Sequence, residues 1–516
     1  MLPISPLSIS RHILFVAMLS FVAGIPQLSA QVETSIVPHR YIVVYRNALI
    51  PGDAEAKVHS AGARLTHRNE RFGMAVVQTH STLATEDAAV VHRIAAQPNV
   101  EYVLHDRTIS ATHLTIRPGV PQINPSFRVV LAPLPDTFYN SPQGWAVRQV
   151  GGYGKGVPGG PVQGPWDITM GAGVRIAILD TGVDTAHPDI APNLGLNLSE
   201  INQDPQTGLP SVCDDGTPQD QTGHGTWTAS LAAAAQGAGT GELVGVAPAA
   251  TILNIKVLER IPNSNSNLSP SAQCTSGEGS GLLSWAIQGI EDAIANHADV
   301  ISMSFGTTAD LSTSDGAGLK ATLDRITSSA SQAGAVLIAA AGNDGYDLSN
   351  PRYVELPAQS SHVLAIVAST NADCAQNMNP GATCTPGPVG LAYYSNYGAP
   401  LQALAAPGGS YPSGNDLAVS GWVRGACSSG KPSTTDGLPA DPTQSYGCFN
   451  LGHTAYVQAM GTSAAAPLAA GVAALLISAH PDWSPDAVVA AMRSSAVSAP
   501  GLPVGQVNAA SALATP

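Results

Sequence analysis

Asp180 closes the apolar run in "VRIAILDTGVDTAHPDI", residues 174–190. A carboxylate in that position has three uses. It can bind the ribose of a dinucleotide. It can share a proton with a second carboxylate, as the "DTG" of an aspartic protease does. It can orient the base that activates a serine nucleophile. The first use needs G-x-G-x-x-G between a strand and a helix. "GKGVPG" at 154–159 has the letters but follows no strand and puts Pro158 inside the turn, and "GAGTGE" fails at its last glycine. The second needs a second D-T-G or D-S-G, and the chain has none.

The third use needs a histidine and a serine in matching contexts. "TGHGTWTASLAAAA" sets His224 at the start of a helix between Gly223 and Gly225, which are read as keeping bulk away from the imidazole. "AMGTSAAAPLAAGVAALLISA" sets Ser463 at the start of a long helix of small residues. A helix N-terminus offers unpaired N–H groups and positive potential, which at Ser463 favours the oxyanion formed on attack. Ala464, Ala465 and Ala466 let that helix pack close beneath the site. Singly, each residue reads as well as a cap or a turn residue. Their order and shared context join them.

Elements that could position these residues follow from periodicity. From about residue 145, apolar β-rich runs (174–180, 251–258, 300–305, 335–341 and 363–369) alternate with helical patterns at 224–235, 281–298 and 319–333. Strands buried on both faces read as unbroken apolar runs. The expected fold is α/β: a doubly wound, mostly parallel sheet with helices on both faces, sites gathering at the carboxyl ends of its strands.

"ILDTGVDTAHPDI", "GHGTWTA" and "GTSAAAP" together resemble the three active-site signatures of the subtilisin-like serine proteases, in that family's order. "VGVAP", "VISMSFG", "AAAGNDG" and "VNAASAL" extend the resemblance from about Trp145 to the C-terminus. One departure is Ala464, where many members carry Met; a packing change is expected. The resemblance implies Ser463 as nucleophile, His224 as general base and acid, Asp180 as its orienting acid, and Asn343 as the oxyanion-hole amide. It implies that Ser304, Phe305 and Gly306 form one wall of the primary specificity pocket and Ala340, Ala341 and Gly342 the other, with an extended protein or peptide substrate along the first. Asp344 would sit near the rim and give tolerance for basic residues before the cut. Many relatives bind structural calcium, and Asp189 in "HPDI" matches a ligand position; it also reads as a turn cap, and "AQGAGTGELVG" lacks an expected asparagine. The chemistry needs no cofactor.

Residues 31–110 hold 8 basic and 8 acidic side chains, whereas 111–516 hold 13 basic and 28 acidic. Strand-like runs at 40–47, 74–80 and 100–106 and helical patterns at 53–62 and 85–97 make the first part a small α+β domain. "RYIVVY" and "VEYVLHD" resemble the family's inhibitory propeptide, an intramolecular inhibitor. Its six histidines (His39, His59, His67, His80, His92 and His105) suggest pH-sensitive release. Residues 1–30, with Arg11 before a 13-residue apolar run and Ala30 at the cut, read as a secretory signal. Residues 111–144 are a Pro-rich linker near the maturation site, and 145–516 the peptidase domain, expected to be extracellular and monomeric.

Six cysteines in an exported chain suggest three disulfides. Of the 15 pairings, sequence proximity favours Cys374–Cys384 and Cys427–Cys448, leaving Cys213–Cys274. They would staple long loops at 195–222, 259–280 and 409–456. The formal charge of −14 gives no footprint for nucleic acid or anionic lipid, and beyond the leader no run reads as a membrane span.

Overall fold

The computed structural model describes residues 35–80, 84–111, 137–139, 142–154, 164–201, 210–237, 240–371, 389–409, 421–430 and 447–514. The signal segment, most of the linker, and Cys374 and Cys384 lie outside the described residues.

The N-terminal unit runs β1 (Ile36–Tyr45), α1 (Ala54–Ala61), β2 (Ala63–Asn69), β3 (Met74–Thr79), α2 (Ala84–Ala95) and β4 (Val100–Ala111). Its antiparallel strands order β4-β1-β3-β2. Alternation along β1 serves two cores. Tyr41, Val43 and Tyr45 pack with the unit's own helices, while Ile42 and Val44 join Phe72, Met74, Leu104 and Ile109 in a core shared with the rest of the chain. Each fully buried aliphatic side chain contributes about 1.5–3 kcal/mol.

The larger body opens with a short helix, α3 (Trp145–Gln149), packed in its core with Tyr139, so part of the expected linker belongs to the body. Then come β5 (Arg175–Asp180), β6 (Leu194–Ser199), α4 (His224–Ala233), β7 (Thr251–Lys256), β8 (Glu259–Ile261), α5 (Pro270–Thr275), β9 (Glu278–Leu282) and α6 (Leu283–Ala295). Next are β10 (Val300–Met303), β11 (Phe305–Asp310), α7 (Ser314–Gln332), β12 (Val336–Ala340), β13 (Tyr353–Leu356) and β14 (Val363–Asn371). The chain ends with β15 (Val389–Leu391), β16 (Leu404–Pro407), β17 (Val423–Ala426), β18 (Tyr456–Ala459), α8 (Thr462–Ala479), α9 (Pro485–Ser494) and α10 (Ala509–Leu513).

Strands β6-β7-β5-β10-β12-β14-β16 form a parallel sheet, and β15 adds antiparallel to β14. Each strand serves both faces. Ile176 and Ile178 of β5 pack with α4 and α8 on one side, and Ala177 and Leu179 with α6 and α7 on the other. This is the doubly wound architecture expected. The expected strand 300–305 is broken at Ser304: β10 stays in the central sheet, whereas β11 pairs with β13 and with the end of β4. Helix α8 is long and apolar enough to cross a membrane, the one such helix among the described residues, but it is the buried core helix of this body.

Two helix N-termini of the body are met by the N-terminal unit. Asp106, fully buried, accepts the Ser284 backbone N–H at 3.1 Å and its hydroxyl at 2.6 Å in the first turn of α6, and pairs with Arg40 at 2.8 Å. Asp315 in the first turn of α7 pairs with Arg107 at 2.6 Å and lies 3.1 Å from His105 Nδ1. An acid in the first turn also suits the positive end of a helix.

Candidate active site

Alternation in β5 turns Asp180 toward the same sheet face as Ile176 and Ile178, where α4 and α8 lie. Its Oδ1 is 2.6 Å from His224 Nδ1 and accepts the Thr181 N–H at 2.7 Å; its Oδ2 accepts the Thr228 hydroxyl at 3.0 Å. Both partners are buried. With Nδ1 donating to the carboxylate, Nε2 is left as the acceptor, and it is buried without a partner among the described residues.

His224 is the first residue of α4, and a second acid fixes that end. Asp220 Oδ1 accepts from Thr181 Oγ1, Thr222 N and Gly223 N at 2.7–2.9 Å, and Oδ2 accepts from Thr226 N and Oγ1 at 2.9 and 2.7 Å. Burial raises the Asp220 pKa, and these hydrogen bonds oppose the rise. The flanking glycines serve backbone approach rather than imidazole clearance. Gly223 has φ 100°, and a Cβ there would lie 2.7 Å from Cys427 Sγ; one on Gly225 would lie 2.0 Å from the Gly182 carbonyl oxygen.

The expected Cys213–Cys274 and Cys427–Cys448 disulfides are both formed. The second carries Phe449, whose ring stands edge-on to His224 at 6.0 Å and packs on Trp227. Arg260, fully buried, ties that loop to the site: it donates to the carbonyls of Gln221 and Gly447 and to Asn450 Oδ1 at 2.6–3.0 Å.

Ser463 lies in the first turn of α8, which packs against α4. Its hydroxyl donates to the Ser304 carbonyl at 3.3 Å, and the Ser304 hydroxyl donates back to the Ser463 carbonyl at 3.1 Å. Met303 pairs with Leu179, so Ser304 leaves the sheet beside Asp180. Asn343 Oδ1 accepts the Thr462 N–H at 2.8 Å and hydroxyl at 2.7 Å. These two bonds fix the orientation of the Asn343 amide.

The expected pocket walls, Ser304–Gly306 and Ala340–Gly342, adjoin this site. On β11, Gly306 pairs with Ser110 and Phe305 with Ala111, so the end of β4 lies along the first wall. On its other side β4 pairs with β9: Thr108 with Leu282, Ile109 with Gly281 and Ser110 with Ser280. Asp344 is exposed. Sequence reasoning missed β9 as the second edge, although "GEGSGLL" shows the Gly-rich strand that a close backbone approach favours. It also missed Asp220, Thr228, Thr462 and Phe449; only Asp220, four residues before His224 in "DQTGH", had a visible signal.

The donor set at Asp189 does not suit calcium. Its carboxylate faces hydrogen donors, the Gly241 N–H at 2.6 Å and the Tyr456 hydroxyl at 3.0 Å, whereas calcium needs a cage of oxygens. Among the described residues no group of three or more His, Cys, Asp or Glu could hold a metal.

Residues 171–511 match the subtilase family. Thermitase of Thermoactinomyces vulgaris is 34% identical over 266 residues, covering 50% of this chain and 74% of thermitase. Subtilisin E of Bacillus subtilis (strain 168) is 29% identical over 314 residues, covering 61% of this chain and 58% of its own length, under two thirds. In fold the chain is similar to fervidolysin from Fervidobacterium pennivorans, described as a keratinolytic enzyme related to subtilisin. That match has a TM-score of 0.60 at 19% identity and covers 93% of this chain and 62% of that one.

Proposed function

The chain belongs to the subtilase family of serine endopeptidases, and from that premise we propose that it cleaves proteins through Ser463, His224 and Asp180, and is exported as a zymogen that processes itself. The observation that carries the catalytic reading is the buried 2.6 Å pair of Asp180 with His224 Nδ1, which leaves Nε2 as a base with no partner among the described residues. In the reaction Ser463 Oγ leaves the Ser304 carbonyl and attacks the substrate carbonyl carbon while Nε2 takes its proton. The tetrahedral oxyanion receives hydrogen bonds from the Asn343 amide and the Ser463 backbone N–H. His224 returns the proton to the leaving amine, giving the acyl-enzyme, and water then repeats the sequence in reverse roles. Asp180 keeps the imidazole in the required tautomer and stabilises the imidazolium.

Self-processing is supported by the end of β4, a middle strand between β9 and β11. An extended chain bound on two strand edges is how a substrate would bind. The ladder ends with Ala111 opposite Phe305, one step short of Ser304 on which Ser463 rests. We therefore assign the first cut to the Thr112–His113 bond. Export is supported by the leader pattern of residues 1–30 and by two disulfides. Of the six histidines, His105 lies against the body, with Nδ1 3.1 Å from Asp315.

Intact mass of the secreted product, wild type beside Ser463→Ala, tests the reading. The wild type should lose residues up to Thr112 while the variant keeps them. Loss from both would show that another protease does the cutting.

A further inference from the structure

Behind both pocket walls, the space a side chain would fill at a wall glycine is taken by a buried polar group from elsewhere. On the first wall, a Cβ on Gly306 would lie 2.1 Å from Glu355 Oε1. On the second, a Cβ on Gly342 would lie 2.2 Å from Asn396 Nδ2 and 3.6 Å from Glu355 Cδ. The two groups therefore converge on the floor between the walls. Glu355 comes from β13, opposite Thr308 of β11, whose hydroxyl donates to Oε2 at 3.0 Å. Asn396 is fixed by its own backbone N–H on the Gly342 carbonyl and by Oδ1, which accepts from Asp344 N and Tyr346 N.

Neither group is compensated. Glu355 is 4% exposed, and among the described residues no lysine or arginine pairs with it. The charge it feels is Asp344, of the same sign, and burial with that neighbour pushes its pKa up to about 8. Asn396 is fully buried and its Nδ2 has no hydrogen-bond partner among the described residues. A leucine or phenylalanine side chain seated over this floor would leave both groups dry, which is costly. A cationic side chain gives the carboxylate a counter-charge.

We propose that Glu355 is the specificity-determining residue of the cleft, and that the enzyme cuts after lysine or arginine. The proposal rests on Ser463 being the nucleophile. It moves the acidic determinant expected at Asp344 from the exposed rim to the buried floor. The cut after Thr112 is compatible with it, because a tethered segment already paired on both edges reacts at a high effective concentration and needs no matching side chain.

The test uses mature enzyme prepared from the full chain at pH 8.5, with one peptide series varying only the residue before the cut: Lys, Arg, Gln, Leu or Phe. A fluorophosphonate label on Ser463 counts active sites in every variant. The expected result is kcat/KM for Lys and Arg at least about tenfold above Leu. Glu355→Gln should lose at least about tenfold of that ratio while cleavage after Leu and active-site labelling persist; Asp344→Asn should change the ratio less than about threefold. Cleavage without Lys or Arg preference, or a preference that survives Glu355→Gln, overturns the proposal and leaves the protease reading intact. No cleavage together with no label on Ser463 overturns both.

Discussion

The Ser304 hydroxyl occupies the carbonyl of Ser463, and Pro467 is the reason that carbonyl is available. In a regular helix the N–H of residue 467 would donate to it, and proline has none. A proline four residues after the nucleophile thus opens a backbone acceptor, and the residue leaving β10 closes it. Ser304→Ala removes the hydroxyl that donates to that buried carbonyl and should cost about 1–3 kcal/mol in urea unfolding. Combined with Pro467→Ala, which restores the donor, the same change should cost clearly less. Equal costs in both backgrounds would show that this pair is not coupled.

Thr462 fixes the acceptor end of Asn343 with two hydrogen bonds. Asn343→Ala should lower kcat by about 100- to 1000-fold with little change in KM, the range found for loss of such an oxyanion donor. Thr462→Val keeps the amide but removes one of its anchors. A drop of about tenfold in kcat is expected, carried by the same step. A fall in KM alone for either variant would contradict the assignment.

Maturation should give a first product beginning at His113, read by N-terminal sequencing. Ile109 is buried in the shared core and pairs with Gly281. Ile109→Asp should loosen the tail and slow that cut at least about tenfold. Unchanged kinetics in this variant would mean that the tail is not held as described.

Stability should respond to pH through Glu355. Its folded pKa of about 8 lies above the 4.5 of the free side chain, so the native state keeps a proton that the unfolded chain releases. The associated stability is full below about pH 4.5 and is lost as pH rises to about 8. Glu355→Gln should therefore change the melting temperature little at pH 5 and raise it at pH 8.5, where the gain in unfolding free energy is on the order of a few kcal/mol. A gain of the same size at both pH values would rule out ionisation as the cause.

Gly223 is a point where the site and the loop closed by Cys427–Cys448 meet. Gly223→Ala forces a left-handed alanine against Cys427 and should cost at least about 2 kcal/mol. Reducing the Cys427–Cys448 bond should recover part of that loss in thermal unfolding. No recovery would leave backbone strain as the whole effect.

What was legible in the sequence divides by range. Asp180, His224 and Ser463 each stand at a strand end or helix start with a local signature, and the apolar runs gave the order of strands. The break at Ser304 was invisible because "VISMSF" is apolar throughout; pairing with β4 and β13, far away in sequence, pulls β11 out of the sheet. The strand pattern ends at 106, whereas β4 runs on to Ala111 because β1, β9 and β11 hold residues 107–111 extended. Glu355 and Asn396 have no motif at all. Their role depends on two glycines about 50 residues upstream, a relation that exists only in three dimensions.

The two-faced β1 has a kinetic corollary. Once the chain is cut beyond Ala111, the N-terminal unit can leave only by stripping Ile42, Val44, Phe72, Met74, Leu104 and Ile109 from a shared core. What departs is a sheet greasy on one side, prone to open and within reach of a protease no longer occupied by it. If the proposed self-cut occurs, digestion of the fragment would remove the rebinding partner, and activation would run as a ratchet: slow to start, and without a return stroke.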